Sequence, residues 1–306
     1  MKSPPERPGP VVEFGDFKRA VERYQKDEMS QRAAALTYYA LMSLFPALLI
    51  GVAVLGYFGQ AALVSDAADY LKDAGAPPET VDAVTSALES AQRQRGTALG
   101  AIIIGLATAL WGASAAFGSV GAALNQVWRV EEGRGFVKHK LHNLGWTVLL
   151  IALALVTLVL LFLGGGVAAD VLGLVGLGDS AVEVWSVLRW PGAVLVAMLV
   201  YAVVYYAAPN VEIRRWQYIT PGAVFGVLTW IVASAGFFFY VSKFASYSAT
   251  YGAFAAVVIL LIWLYLTSAI LLLGAELNAV VDLRRSRHLP PNYDGPLLPP
   301  KQPAEA

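Results

Sequence analysis

Apolar residues gather into six long blocks, each separated from the next by charge, proline or glycine. The blocks lie near 36–58, 98–120, 143–165, 188–208, 218–241 and 252–280. Polarity does not alternate within them, as it would in the strands of a membrane barrel. Each has close to the roughly 20 helical residues that cross a hydrocarbon core. Lipid offers no hydrogen bonds to an exposed backbone, so such a segment must be helical. The pattern predicts an all-α polytopic integral membrane protein: a six-helix transmembrane bundle over 36–281, with short amphipathic helices outside the core.

The flanking segments have a different rhythm. In FKRAVERYQ, residues Phe17, Ala20, Val21 and Tyr24 share one helical face. Lys18, Arg19, Glu22 and Arg23 fall largely elsewhere. This predicts a helix in the arm 1–35, either lying in the membrane interface or packed on the bundle. The segment 60–96 repeats Val81, Val84, Leu88 and Ala91 at helical spacing, with three bases against six acids. Two short amphipathic helices joined near Gly75 are expected there, capping the bundle or binding a partner. The proline-rich tail 282–306 is expected to be disordered.

Composition sharpens the class. The chain is 57% hydrophobic and 14% charged, against about 25% charged in soluble domains. Net charge is zero, which gives no reason to expect nucleic acid. No cysteine is present, which excludes disulfides, zinc–thiolate sites and cysteine catalysis. No cleavable signal peptide is visible, so the first apolar block is expected to act as an uncleaved insertion signal. Seventeen basic residues fall in the arm, the 129–142 and 209–217 loops and the tail, and five on the other side. That bias places both termini in the cytoplasm. Trp128, Trp146, Trp216 and Tyr218 at one set of boundaries, and Tyr57, Trp185, Trp190, Tyr240 and Tyr251 at the other, suit aromatic belts.

Candidate chemistry inside the spans is sparse. Pro46 frees the Met42 carbonyl within the first block and predicts a hinge or a static bend. Gly112, Ala116 and Ser119, and the pair Gly222 and Gly226, predict close helix contact or a seam that opens. The glycine-rich pieces at 164–166 and 173–178 lack the context of a phosphate loop, so nucleotide binding is not expected. His139 and His142 can share a face, and Glu131 and Glu132 are the only nearby candidates for the further ligands a metal site would need; a basic loop touching anionic headgroups is the expectation. No catalytic triad, metal site or cofactor site is discernible. Glu276, in GAELNA, falls about 6 Å past the hydrocarbon edge if the last helix enters near Gly252. It either pairs with an arginine or backbone donor, or takes part in gating a substrate.

The stretches RAAALTYYALMSLFPALL, LWGASAAFGSVGAALNQVWRV, YYAAPNVEIRRWQYITPGAVFGVLTW and FFFYVSKFASYSATYGAFAAVVILLIWLYLTSAILLLGAELNA, in that order, resemble the YihY/BrkB family of bacterial inner-membrane proteins. The likeness runs from about 15 to 285 and is loose over 60–96, which leaves a lineage-specific partner open there. The resemblance implies a multi-pass inner-membrane protein. Members have been labelled ribonucleases or linked to envelope integrity, virulence or lipid traffic, with no established catalytic set. The motif positions it marks as candidates for function or gating are Tyr38, Tyr39, Pro46, Asn125, Pro209, Asn210, Lys243, Tyr247, Tyr251, Gly252, Glu276 and Asn278.

Three functions follow as expectations. First is passage or transport of a lipid or other amphiphilic envelope component, since scarce intramembrane charge suits an apolar substrate better than an ion. Second is a non-transporting scaffold for envelope-assembly partners, docking through 60–96. A membrane ribonuclease comes far behind, because positive-inside topology already explains the basic loops. Membrane lipids are the expected partners, with a homo-oligomer left open.

Overall fold

The computed structural model describes residues 12–58, 81–82, 85–86, 95–162, 178–211, 219–243 and 246–285. They form seven helices, with no strand among them: α1 Phe14–Lys26, α2 Met29–Phe58, α3 Arg95–Trp128, α4 Phe136–Phe162, α5 Asp179–Ala207, α6 Pro221–Lys243 and α7 Ser246–Arg285. Among the described residues, five stretches are long and apolar enough to cross a membrane: Gly105–Trp128, Phe136–Thr157, Ser180–Ala207, Pro221–Val241 and Val257–Arg284. The expected first span lies within α2, which is helical through Pro46, but its side chains beyond residue 44 are not described. Most of 60–96, the tail beyond 285 and the glycine-rich pieces up to 177 lie outside the described residues.

The helices overrun the expected spans. α3 continues to Trp128 and α4 begins at Phe136, so half of the basic segment read as a loop is the first two turns of α4. α5 begins at Asp179, which places Pro191 inside the helix. There it cannot donate to the Val187 carbonyl.

The chain divides into two compact units, 38–116 and the remainder. In the first, the Tyr38 and Tyr39 rings meet edge-on at 5.6 Å and both side chains are exposed. Ser114 is fully buried and donates to the Trp111 carbonyl. The second unit holds the main core. α1 packs on α7, α7 on α6, α6 on α5 and α5 on α4. Its buried side chains crowd one end: Met29, Ala33 and Leu36 of α2; Phe117 to Trp128 of α3; Tyr201 to Ala208 of α5; Ala223 and Val227 of α6; Leu272 to Val281 of α7. Towards the other end apolar side chains are uncovered, among them Leu155 and Val159, Val187 and Leu188, Val232 and Phe239, and Ile262. Hydrocarbon is the solvent such surfaces suit.

Glycines set how closely the packed end closes. A Cβ on Gly222 would run into the Gly274 carbonyl oxygen, so α6 and α7 touch backbone to backbone. A Cβ on Gly226 would lie 2.6 Å from the Tyr201 ring. The pair read from PGAVFG is thus a packing seam. In α3, a Cβ on Gly118 would meet the Asn143 side chain and one on Gly121 the Ala208 carbonyl, whereas one on Gly112 meets nothing within 4 Å among the described residues.

Candidate functional site

The packed end carries a polar network in three parts. Each satisfies backbone groups that a helix terminus leaves open. The last carbonyls and first N–H groups of an α-helix have no partner within it, and inside a dry core they must find one elsewhere.

The first part fastens α1. Phe17 packs on Phe225 with ring centroids 5.1 Å apart, and Ala20 lies buried with Leu277 and Val280. Arg23 is on this inward face, not the polar one expected, because its guanidinium has two partners inside. Its Nε donates to Glu276 Oε2 at 2.8 Å and its Nη2 to the Val127 carbonyl of α3 at 2.8 Å. Glu276 is fully buried. Asp27 lies 3.7 Å from Arg23 and 3.9 Å from Arg129. At the start of α1, Asp16 accepts from the Glu13 N–H at 2.9 Å, and Arg284 of α7 bridges Asp16 and Glu13.

The second part joins the ends of α3 and α5. α3 ends in a Schellman turn: the Val130 N–H reaches the Asn125 carbonyl, the Arg129 N–H reaches the Gln126 carbonyl, and Arg129 takes φ 55°. A side chain in that left-handed region costs about 1–2 kcal/mol. The turn brings Glu132 and Arg134 back over the helix end. Arg134 grips Glu132 through Nε and Nη2 and also donates to the Ala208 carbonyl at 3.1 Å. His142 Nε2 meets the Ala207 carbonyl at 2.8 Å, which makes it the protonated nitrogen. The buried end carbonyls of α5 thus face the Arg134 guanidinium, whose sign the helix dipole favours, and the His142 ring. Asn125 Oδ1 accepts the Asn210 N–H at 2.7 Å, Asn125 Nδ2 donates to Glu132, and Asn210 Nδ2 donates to the Glu131 carbonyl. Burial pushes the Glu132 carboxyl up, but the Arg134 contacts, with His139 behind them, outweigh it and hold it below the usual carboxylate range.

The third part closes α6 onto α7. Thr220 and Pro221 form a favoured helix start, with Thr220 Oγ1 accepting the Ala223 N–H. Asn278 accepts the Gly222 N–H at 2.7 Å and donates to Thr220 Oγ1 at 3.1 Å. Tyr205 of α5 adds a bond to the Leu271 carbonyl at 2.8 Å.

Of the twelve candidate positions, Asn125, Pro209, Asn210, Glu276 and Asn278 are buried in the main unit. Four of these make the bonds just described, and Pro209 precedes Asn210 in the turn after α5. Tyr38 and Tyr39 belong to the other unit. Pro46, Lys243, Tyr247, Tyr251 and Gly252 lie within helices whose side chains there are not described. Arg23, Asp27, Glu132 and Arg134 are not among those twelve positions. Trp128, expected in an aromatic belt, is buried in the core, and Trp146 meets the rings of His142 and Tyr206. Among the described residues no three metal-ligating side chains cluster.

Long apolar helices tied at one end by buried polar side chains define a multi-pass helical membrane protein whose interhelical glue is sequence-specific. The family model described as "Virulence factor BrkB" matches residues 20–294, and the chain belongs to that family. It is 33% identical over 269 residues to a ribonuclease-like protein, YfkH, of Bacillus subtilis, covering 88% of this chain and 96% of that one. It is 28% identical over 278 residues to the UPF0761 membrane protein PSHAa0171 of Pseudoalteromonas translucida, covering 88% and 86%. A UPF0761 membrane protein of Alkalilimnicola ehrlichii is 30% identical over 275 residues, but the chain spans only 58% of its length. No solved structure matches.

Proposed function

We propose that this chain gives passage to a lipid or other amphiphilic component of the bacterial envelope, in the inner membrane, with the α1 end cytoplasmic. The observation that carries this reading is the asymmetry of the main unit. One end is sealed by packing and by polar side chains on the helix termini. Towards the other, α4 to α7 leave apolar side chains uncovered. An acyl chain can enter between such surfaces from the bilayer without desolvating a charge, whereas an ion would need a polar lining at depth. The basic bias that orients the sequence puts the sealed end on the cytoplasmic side.

Reconstitution into liposomes with fluorescent phospholipids tests this. Transbilayer movement faster than in protein-free vesicles supports passage. Rates equal to empty vesicles across several lipid classes remove it and favour the scaffold reading. The name of the Bacillus relative suggests hydrolysis of RNA, but here Glu132 and Glu276 are each held by an arginine. Purified protein is expected to leave RNA intact with magnesium or zinc present.

A further inference from the structure

One charge stands apart from the polar network. Arg189 belongs to α5, towards the end where apolar side chains are uncovered. It precedes Ala207, the last residue of α5, by eighteen positions, about 27 Å at 1.5 Å per residue. With Ala207 at one edge of a hydrocarbon core about 30 Å thick, Arg189 lies just inside the other edge. A cation is costly at such a depth and is kept there with a partner. Its Cζ stands 5.1 Å from the centroid of the Trp190 ring. Attraction to a ring face holds a cation without supplying an acceptor oxygen. The Nε is buried and has no hydrogen-bond partner among the described residues. An arginine that merely snorkels would carry its whole head into water. Glu183, the other charged residue of this span, is six positions earlier and falls on another side of the helix. Three residues beyond Arg189, Gly192 faces α4, where a Cβ would lie 3.5 Å from Leu160 Cδ2. Arg189 shares that side of α5, so it emerges beside the α4–α5 contact. Leu188 and Leu195, one above the other on α5, are both exposed.

We propose that Arg189 is the headgroup anchor of a phospholipid in the leaflet at this end of α5. The guanidinium donates to the phosphate oxygens, whose spacing its planar fork matches. The acyl chains run from there towards the bilayer centre along Leu188 and Leu195. Trp190 holds the cation at headgroup depth. The site deepens the proposed passage and rests on it for its role, as the point where a lipid enters or leaves the lateral path. Occupancy itself requires no movement of lipid.

Photolabelling of the purified protein in liposomes tests this. The probe is phosphatidylglycerol with a diazirine close to its glycerol backbone, and adducts are mapped by peptide mass spectrometry. The wild type is expected to carry adducts within 184–195. Arg189→Gln is expected to lose them by about tenfold or more, the weight of one charge-assisted hydrogen bond, and Arg189→Lys to keep most of them. Diacylglycerol with the same diazirine, which lacks the phosphate, should label this segment no more than Arg189→Gln is labelled by the phospholipid. Equal labelling of wild type and Arg189→Gln, or by the two lipids, overturns the proposal. Displacement by millimolar inorganic phosphate also overturns it, because the site would then take the free anion. If Arg189→Gln does not fold, the comparison of the two lipids on the wild type decides alone. Arg189-dependent labelling in protein that does not speed transbilayer movement keeps the site and removes passage; movement without such labelling removes the site alone.

Discussion

Replacing Arg23 by alanine removes the fastening of α1 at its centre. The Arg23 side chain is 13% exposed and that of Glu276 is 0% exposed, so neither group is left to bulk water when its partner goes. The substitution deletes a charge-assisted bond to Glu276 and the bond to the Val127 carbonyl. The first is worth about 1.5–3 kcal/mol and the second about 1 kcal/mol. Removing one member of a buried pair costs roughly 3–5 kcal/mol, because the other charge stays behind. Both routes give a loss of about 3–4 kcal/mol for Arg23→Ala. Glu276→Ala is expected to cost a similar amount, since it strands the guanidinium. The double variant strands neither and is expected to fall short of the sum by about 2 kcal/mol or more, within the range measured for residues in contact. The assay is equilibrium unfolding in mixed micelles titrated with a denaturing detergent, read on all four proteins. Losses that add within about 0.5 kcal/mol would refute the pairing.

Three other substitutions probe the rest of the network. Gly222→Ala is expected to destabilise by about 1–3 kcal/mol, because its new methyl meets the Gly274 carbonyl; Gly145→Ala, with nothing within 4 Å among the described residues, is expected to gain up to about 1 kcal/mol from helix propensity, so opposite signs in the same unfolding assay check the seam. Asn278→Leu leaves the buried Gly222 N–H without its acceptor and is expected to cost about 1–3 kcal/mol, measurable as faster proteolysis near the start of α6. Because the folded-state pKa of Glu132 is depressed, its contribution is present above the unfolded value of about 4.3 and is lost as pH falls through the lower folded value. Acid titration of stability is therefore expected to be shallower in Glu132→Gln than in wild type, and identical profiles would count against the Arg134 contacts.

Existence of the helices was legible because hydrocarbon tolerates so few arrangements of backbone: a long apolar run has little choice but helix. Their ends were less legible. The segment after Trp128 reads as a basic loop, yet Arg129 turns the chain in three residues and α4 starts at Phe136. Arg23 reads as part of the wet face of α1 because polarity ordinarily signals exposure. That rule fails where a neighbouring helix end offers a carbonyl, as Val127 does, and a carboxylate waits beside it. The motif residues Asn125, Asn210, Glu276 and Asn278 stood out in the sequence, but their partners are distant in the chain. No local spacing shows that Asn278 meets Gly222 or that Glu276 meets Arg23. Gly222 and Gly226 stand out in the sequence as small residues, but the contacts of Gly118 and Gly121 do not, because a stripe of small residues does not reveal which side a neighbour occupies.

The central claim is that α1 is docked on the bundle by its inward face. The chain has no cysteine, so two can be introduced without background. Phe17→Cys with Phe225→Cys replaces rings whose centroids are 5.1 Å apart, while Phe14, 89% exposed, supplies the control pair with Phe225→Cys. In native membranes treated with a short bifunctional thiol reagent, the Phe17 pair should link within the chain and the Phe14 pair should not. Equal linking of both pairs, or none at position 17, would contradict the docking of α1.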